Sequence, residues 1–394
     1  MKNTVQMKHK FHIGLLPRVI IAIALGIGAG FVLPLWMARL FATFNGLFST
    51  FLGFIIPLLI VGFVAPAIAD IGRRAGAMLL VTVAIAYIMT FGSGALAYLT
   101  AANVFPSLID ADSYMASEEI ASVGPTPFFT VDVPPLMSVT AALVFAFVLG
   151  FGCATLASSR PLKDVLDNFR DIIKLVIDKA IIPLLPVYIF GIFLDMTLCG
   201  KVGPVLATFV KIIAVIFVLH VAVLVLQYCI ASLFSRKNPF RCLWTMMPAY
   251  FTALGTQSSA ATIPVTLERT VAMGVDRDIA GFTVPLCATI HMSGSTLKIV
   301  SCALALMILH GMPYDFALFA GFIAMLGITI IAAPGVPGGA IMASLGILTG
   351  ILGFTDADNA MMIALYIAMD SFGTACNITG DGAIAQIVGR LFRK

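Results

Sequence analysis

The sequence predicts an all-α integral membrane protein: eight transmembrane helices plus two re-entrant helical hairpins that form inverted repeats. Three observations lead there. Of 394 residues, 60% are hydrophobic and 11% charged, against roughly 45–50% apolar and 25% charged in soluble domains. Basic residues recur at one end of successive apolar segments. Two late apolar segments are broken by Gly, Pro and small polar residues, yet each is flanked on both sides by connections of one kind.

Spans long enough to cross about 30 Å of hydrocarbon lie near 13–34, 47–69, 77–100, 135–157, 177–199 and 205–234. The first follows Lys2, Lys8 and Lys10. It is longer than a signal-peptide core, and no small-residue cleavage site precedes the next span, so it reads as a retained helix. Arg73 with Arg74, then Arg160, Lys163, Arg170 and Lys174, then Arg236, Lys237 and Arg241, then Arg269 with Arg277, and finally Arg390, Arg393 and Lys394 all fall on the amino-terminal side. Asp110, Asp112, Glu118, Glu119, Asp356 and Asp358 fall on the other. The positive-inside bias then makes both termini cytoplasmic. Residues 101–134 become an external acidic loop, and 159–174 a cytoplasmic connector with helical periodicity. Seven cysteines sit in or beside apolar segments without metal-knuckle or disulfide spacing, so they read as core residues. A net charge of +4 carries no nucleic-acid signal, because the bases cluster at span ends.

After Arg241 the apolar segments become short and rich in small residues. The stretch Gly255-Thr-Gln-Ser258-Ser259-Ala-Ala-Thr-Ile-Pro264 lies between Arg241 and Arg269, so the chain enters from the cytoplasm and returns there. The stretch Ala332-Ala-Pro334-Gly335-Val-Pro337-Gly338-Gly339 lies between His310–Asp315 and Thr355–Asp358, and by the same logic it enters and leaves from outside. A span follows each, near 279–309 and 360–388. The competing reading is an ordinary helix kinked at Pro334 and Pro337, which would break the charge bias. Interrupted pairs of this kind are the best sequence pointer to a transport site.

The last apolar stretch, 365–385, carries Asp370, Thr374, Asn377 and Asp381 at offsets 0, 4, 7 and 11. At about 100° per residue they share one narrow stripe. A carboxylate in hydrocarbon costs several kcal/mol unless it meets a partner, an ion or water, so the stripe reads as the wall of a solute and cation site. Its alternative is hydrogen-bonded glue between helices. His291, Ser295 and Lys298, at offsets 0, 4 and 7, form a second stripe. Lys298 lies too deep to snorkel and needs a carboxylate, either Asp370 or one carried by a solute. Asp195 and His220 each stand alone and read as packing groups. Ser258 and Ser259 end one half-helix before another begins near Ala261, whose free N–H groups suit a carboxylate. The carbonyls of the second break, with Asp381, suit a small cation.

A passive channel would share the polar lining without needing hairpins from both sides. An intramembrane hydrolase would need Ser258 or Ser293 as nucleophile and His291 as base. Two residues apart on a helix, Ser293 and His291 diverge by about 160°, which argues against a direct hydrogen bond. The expectation is therefore a transporter and not an enzyme.

Thr256-Gln-Ser-Ser-Ala-Ala-Thr-Ile-Pro-Val-Thr266, Thr289-Ile-His-Met-Ser-Gly, Gly335-Val-Pro-Gly and Asp370 through Asn377-Ile-Thr-Gly-Asp381 resemble the dicarboxylate/amino acid:cation symporter family, which includes glutamate transporters and archaeal aspartate transporters. The resemblance is specific from about Ala249 onward; before that it rests on span order and on Tyr87-Ile-Met-Thr90. It implies an elevator-type homotrimer in the cell inner (plasma) membrane. Residues 1–235 would be mainly scaffold and trimerisation spans, with those near 77–100 and 205–234 joining the transport domain, and 240–394 the transport core.

The resemblance further implies that Asp370 takes the solute amine. Thr374 and Asn377 would contact its polar groups, and Ser258, Ser259, Val336 and Gly338 would contribute from the hairpin tips. Asp381, with carbonyls at Cys287, His291 and Asn377, matches one sodium site. A second would use carbonyls near Thr289 and at Ile331 and Ala333. No cofactor is implied beyond Na+ or H+ as coupling ion, and no partner beyond lipid and a small carboxylate or amino acid.

The sequence departs from that pattern in two places. The family's arginine for an acidic side chain falls at Gly373, and its Asn-Met-Asp-Gly motif reads His291-Met-Ser293-Gly294. A third sodium site, which would use Thr90, loses its carboxylate. Fewer coupled sodium ions are expected, since an ion without a nearby anion in low dielectric is penalised. Protons on His291, or Lys298 as a tethered cation, would stand in. Gly373 leaves two readings: room for a neutral amino acid, or an acidic solute whose charge meets Lys298 from the facing helix.

Overall fold

The computed structural model describes residues 14–73, 76–109, 124–156, 158–331 and 338–392. Among these the secondary structure is helical throughout, with no strand. Apolar runs give α1 (Leu15–Gly30), α2 (Leu35–Arg73), α3 (Ala77–Leu108) and α4 (Val139–Thr155). The amphipathic α5 (Arg160–Val176) passes through one π-helical turn, Ile177–Ile181, directly into α6 (Ile182–Leu198). The connector expected over 159–174 is thus the first part of one long rod. Its polar face is tied by Lys163, which lies 2.8 Å from Asp70 and 2.7 Å from Asp167. Then follow α7 (Val202–Ser235), α8 (Pro239–Thr245), α9 (Met247–Thr256), α10 (Ser259–Ala272), α11 (Arg277–Ile290), α12 (Ser293–Leu309), α13 (Phe316–Ile331), α14 (Gly339–Leu352), α15 (Asp356–Ala368) and α16 (Asp370–Leu391).

Among the described residues, five helical runs are long and apolar enough to cross a bilayer: Leu35–Asp70, Ala77–Leu108, Arg160–Leu198, Val205–Ser235 and Arg277–Leu309. The pair α15 and α16 passes the same test together but is bent by 63°. The continuous helix expected across 365–385 is therefore two helices meeting at Met369. The span expected near 279–309 is likewise interrupted, because His291 is extended (φ −94°, ψ 107°) between α11 and α12. One break falls beside Asp370 and the other on His291, each the first residue of a polar stripe. A break frees carbonyl and N–H groups that need partners at membrane depth.

Two groups of contacts stand out, bridged where α13 and α14 meet α2 and where α15 meets α1 and α6. In one, α1 lies against α6, and α2 against α4, α5 and α6. In the other, α16 touches α7, α9, α10, α11 and α12, while α3 packs along α12. The helices α9 and α10 pack together across a two-residue turn. Gln257 there adopts φ 53°, a left-handed conformation that costs a side-chain-bearing residue roughly 1–2 kcal/mol. Its amide offsets this by donating to Ser371 Oγ at 2.7 Å. Helices α13 and α14 also pack together, and their link, with Ala333, Pro334, Gly335, Val336 and Pro337, lies outside the described residues. So do Asp110, Asp112, Glu118, Glu119, Arg74, Arg393, Lys394 and the first lysines. A capping box of Thr355 and Asp358 starts α15, and Asp358 also lies 3.0 Å from His310 at the end of α12.

Candidate functional site

The two interrupted helices meet face to face, and the predicted stripes meet there. At the α15–α16 break, Asp370 opens α16. Its Oδ2 accepts the Gly338 N–H at 2.7 Å, and its Oδ1 lies 3.4 Å from Lys298 Nζ. Gly338 is at φ +77°, a backbone glycine adopts freely, and it caps the start of α14. Asp370 thus sits at the positive ends of two helices, which favours an anion.

Lys298 is fully buried. Its ammonium points three ways: to Asp370, to the Met369 carbonyl at 3.3 Å, and over the Tyr366 ring at 3.6 Å from the centroid. A side chain at Gly373 would run into Lys298 Cε and Nζ. The lysine therefore fills the space that glycine leaves.

One turn on, Asn377 Oδ1 accepts the N–H groups of Gly294 at 2.7 Å and Ser295 at 3.3 Å, at the frayed start of α12. Its amide donates to Ser295 Oγ at 3.1 Å, and Tyr366 donates to the same hydroxyl at 3.0 Å. Thr374 bonds back to the Asp370 carbonyl of its own helix at 3.1 Å. Three of the four stripe residues thus reach the α11–α12 unit, and the hydroxyl does not. Ser258 caps α10, accepting from the Ala261 N–H at 3.3 Å, so that helix begins at Ser259 rather than at Ala261. The neighbouring Gln257–Ser371 bond brings this hairpin tip to the first turn of α16.

Further along α16, His291 Nδ1 lies 2.9 Å from Asp381 Oδ1 and 3.2 Å from the Asn377 carbonyl. Its Nε2 is hydrogen-bonded to Ser293 Oγ and lies 3.3 Å from the Gln227 amide nitrogen, which also donates to Ser293 at 2.8 Å. The chain therefore contradicts the expectation that His291 and Ser293 diverge. That argument assumed one helix, and the extended His291 turns the two side chains together. With Nε2 accepting from the hydroxyl, Nδ1 donates to Asp381. Asp381 Oδ2 is buried without a hydrogen-bond partner among the described residues.

Cys287, His291, Asn377 and Asp381 are thus brought together, with the Cys287 carbonyl accepting the His291 N–H at 2.8 Å. Thr289 turns its side chain outward, bonding Leu286 O at 2.7 Å. Ile331 ends α13, and Ala333 and Val336 lie outside the described residues. Thr90 accepts the Met292 N–H at 3.3 Å, and Ser93 donates to Ser293 O at 2.7 Å, so α3 holds the break from behind.

Sequence reasoning missed Gln227, Gln257, Tyr366 and Ser371. Gln227 had a signal: it lies seven residues after His220, on the same helical face. His220 is not the isolated group expected, since its Nε2 lies 3.3 Å from the Gly294 carbonyl.

An all-helical membrane chain whose buried charges converge at two facing helix breaks has the architecture of a transport protein. The chain belongs to the sodium:dicarboxylate symporter family, whose profile matches residues 15–391. It is 27% identical over 389 residues to the serine/threonine transporter SstT of Acinetobacter baumannii, covering 94% of both chains. It is 34% identical over 213 residues to rat excitatory amino acid transporter 1, covering 52% of this chain and 37% of that protein. With the human protein of that name it shares 30% identity over 281 residues, 68% of this chain and 49% of the other. Members of the family are transporters and not enzymes, so the close Ser293–His291 pair belongs to a symporter. The chain is accordingly an integral membrane protein and an amino acid or carboxylate symporter with sodium as the family's coupling ion.

Proposed function

We propose that this chain takes up a small carboxylate solute, an acidic amino acid or dicarboxylate, in symport with fewer sodium ions than its family pattern would allow. The observation that carries this reading is Lys298 lying in the space left by Gly373 and paired with Asp370. A positive charge thus stands where the pattern has its arginine, supplied by the opposite helix. Asp370 receives the solute amine, Asn377 and the hairpin tips at Ser258, Ser259, Val336 and Gly338 hold the carboxylate, and Lys298 faces the remaining acid.

Sodium is cargo here. The Asp381 oxygen without a partner, Oδ2, supports a cation seat, while Oδ1 and the Asn377 carbonyl are engaged by His291. With Ser293 in place of the motif's carboxylate, the lining holds less negative charge for ions, and this supports a reduced stoichiometry. The two packing groups support a scaffold within 1–235 and a moving core of 240–394 that includes α3 and α7. On this reading the hairpins are inverted, the eight-span chain works as an elevator within a homotrimer, and both termini are cytoplasmic.

A second reading, a neutral amino acid symporter, is favoured by two observations. All three directions of the Lys298 ammonium are already met within the protein, and the relative matched along 94% of its length is a serine/threonine transporter. A thermal-shift screen of the purified protein against amino acids and dicarboxylates, with and without sodium, separates the two, since binding raises apparent stability by mass action. Shifts with aspartate or succinate support the first reading; shifts with serine and threonine alone replace it with the second.

A further inference from the structure

Lys298 is fully buried, and its ammonium meets Asp370 and the Met369 carbonyl at the break in the facing helix pair. Its pairing with Asp370 is built rather than incidental. Gly373 clears the space, the 63° bend presents the Met369 carbonyl, and the Tyr366 ring lies beneath the ammonium. Gly294 allows the approach, because a side chain there would press on the Gly373 carbonyl and Cys376 at 2.7 Å.

A carrier has to move through the membrane twice in each cycle, once loaded and once empty. When a solute is bound, its ammonium neutralises Asp370. When none is bound, a lone carboxylate would have to cross low dielectric, and an unpaired buried charge is strongly penalised. We infer that Lys298 is a tethered counter-ion that pairs with Asp370 in the solute-free carrier and yields it to the solute amine on binding. This rests on the transport reading above. In the empty carrier, the Asp370 and Lys298 charges cancel. In the carrier loaded with an acidic amino acid, the solute ammonium faces Asp370 and its side-chain carboxylate faces Lys298, so each charge again meets its opposite. The lysine therefore removes the need for a separate cation at Asp370 on the return step.

The test compares two fluxes in proteoliposomes, with radiolabelled L-aspartate and L-serine as probes. Net uptake into solute-free vesicles requires the empty carrier to return; exchange into vesicles preloaded with the same unlabelled solute does not. Lys298→Met is expected to lower the ratio of net uptake to exchange by about tenfold or more. Tyr366→Leu, which removes the ring beneath the ammonium, is expected to lower it about threefold. The ratio does not depend on how much protein reaches the membrane. A ratio equal to wild type in both variants overturns the inference, and if Lys298→Met abolishes both fluxes, Tyr366→Leu decides by the same criterion. A wild-type protein that neither accumulates nor exchanges either probe removes the transport reading itself, and the inference with it.

Discussion

His291 Nδ1 lies 2.9 Å from Asp381 Oδ1, and both side chains are fully buried. The two positions come from different helical elements, and the bond joins the α11–α12 break to the middle of α16. Removing the imidazole leaves the Asp381 carboxylate without its hydrogen-bond donor in a dry interior, which costs about 1–3 kcal/mol, and more where the group left behind is charged. His291→Ala is therefore expected to lower stability by roughly 3 kcal/mol, read as a lower unfolding midpoint in detergent. A midpoint equal to wild type would show that the pair contributes nothing.

Gly380 sits where a side chain would meet both the Gln227 amide oxygen and His291 Cε1. Gly380→Ala inserts a methyl group into a filled space, at a cost of about 1–3 kcal/mol. The variant should unfold earlier and bind sodium less well, as measured by sodium titration of the solute-induced thermal shift.

Asp370→Asn keeps the shape of the side chain and removes its charge. Amino acids should bind about a hundredfold more weakly, since a charge-assisted bond to the ammonium is lost. Succinate, which lacks an amine, should lose much less. Competition binding with aspartate and succinate on the same preparation gives both numbers.

Gly373→Ala tests the space rather than the charge. Its methyl group would collide with the Lys298 ammonium, displacing it from Asp370 and Tyr366. We expect about tenfold weaker solute binding, in line with roughly 1–3 kcal/mol for an overpacked site. Titration calorimetry with the best solute checks it.

Much of this was legible in the sequence because hydrocarbon enforces simple rules. Lys298 had to find a carboxylate, and Asp370 is that carboxylate. The stripe from Asp370 to Asp381 followed from helical spacing, and α16 keeps it. What spacing could not reveal were the breaks. Met369 and His291 carry no proline or glycine signal, and the helices stop there because Lys298 binds the Met369 carbonyl while Asn377 binds the N–H groups that open α12. Those partners lie 71 to 83 residues away in the chain. Once His291 leaves the helix, its ring turns to Ser293, and the angle deduced from an unbroken helix no longer applies. Gln257 was hidden for a similar reason: its left-handed backbone is set by the Ser371 hydroxyl, far away in sequence.

On the proposed function, Asp370 and Asp381 hold a solute and a cation that move together. The most direct measurement is uptake of labelled aspartate and serine into proteoliposomes with sodium imposed outside. Accumulation above the equilibrium level is expected, with collapse when the sodium gradient is dissipated and loss of sodium dependence in Asp381→Asn. Uptake that only equilibrates, or accumulation that is as sodium-dependent in Asp381→Asn as in wild type, would contradict that function.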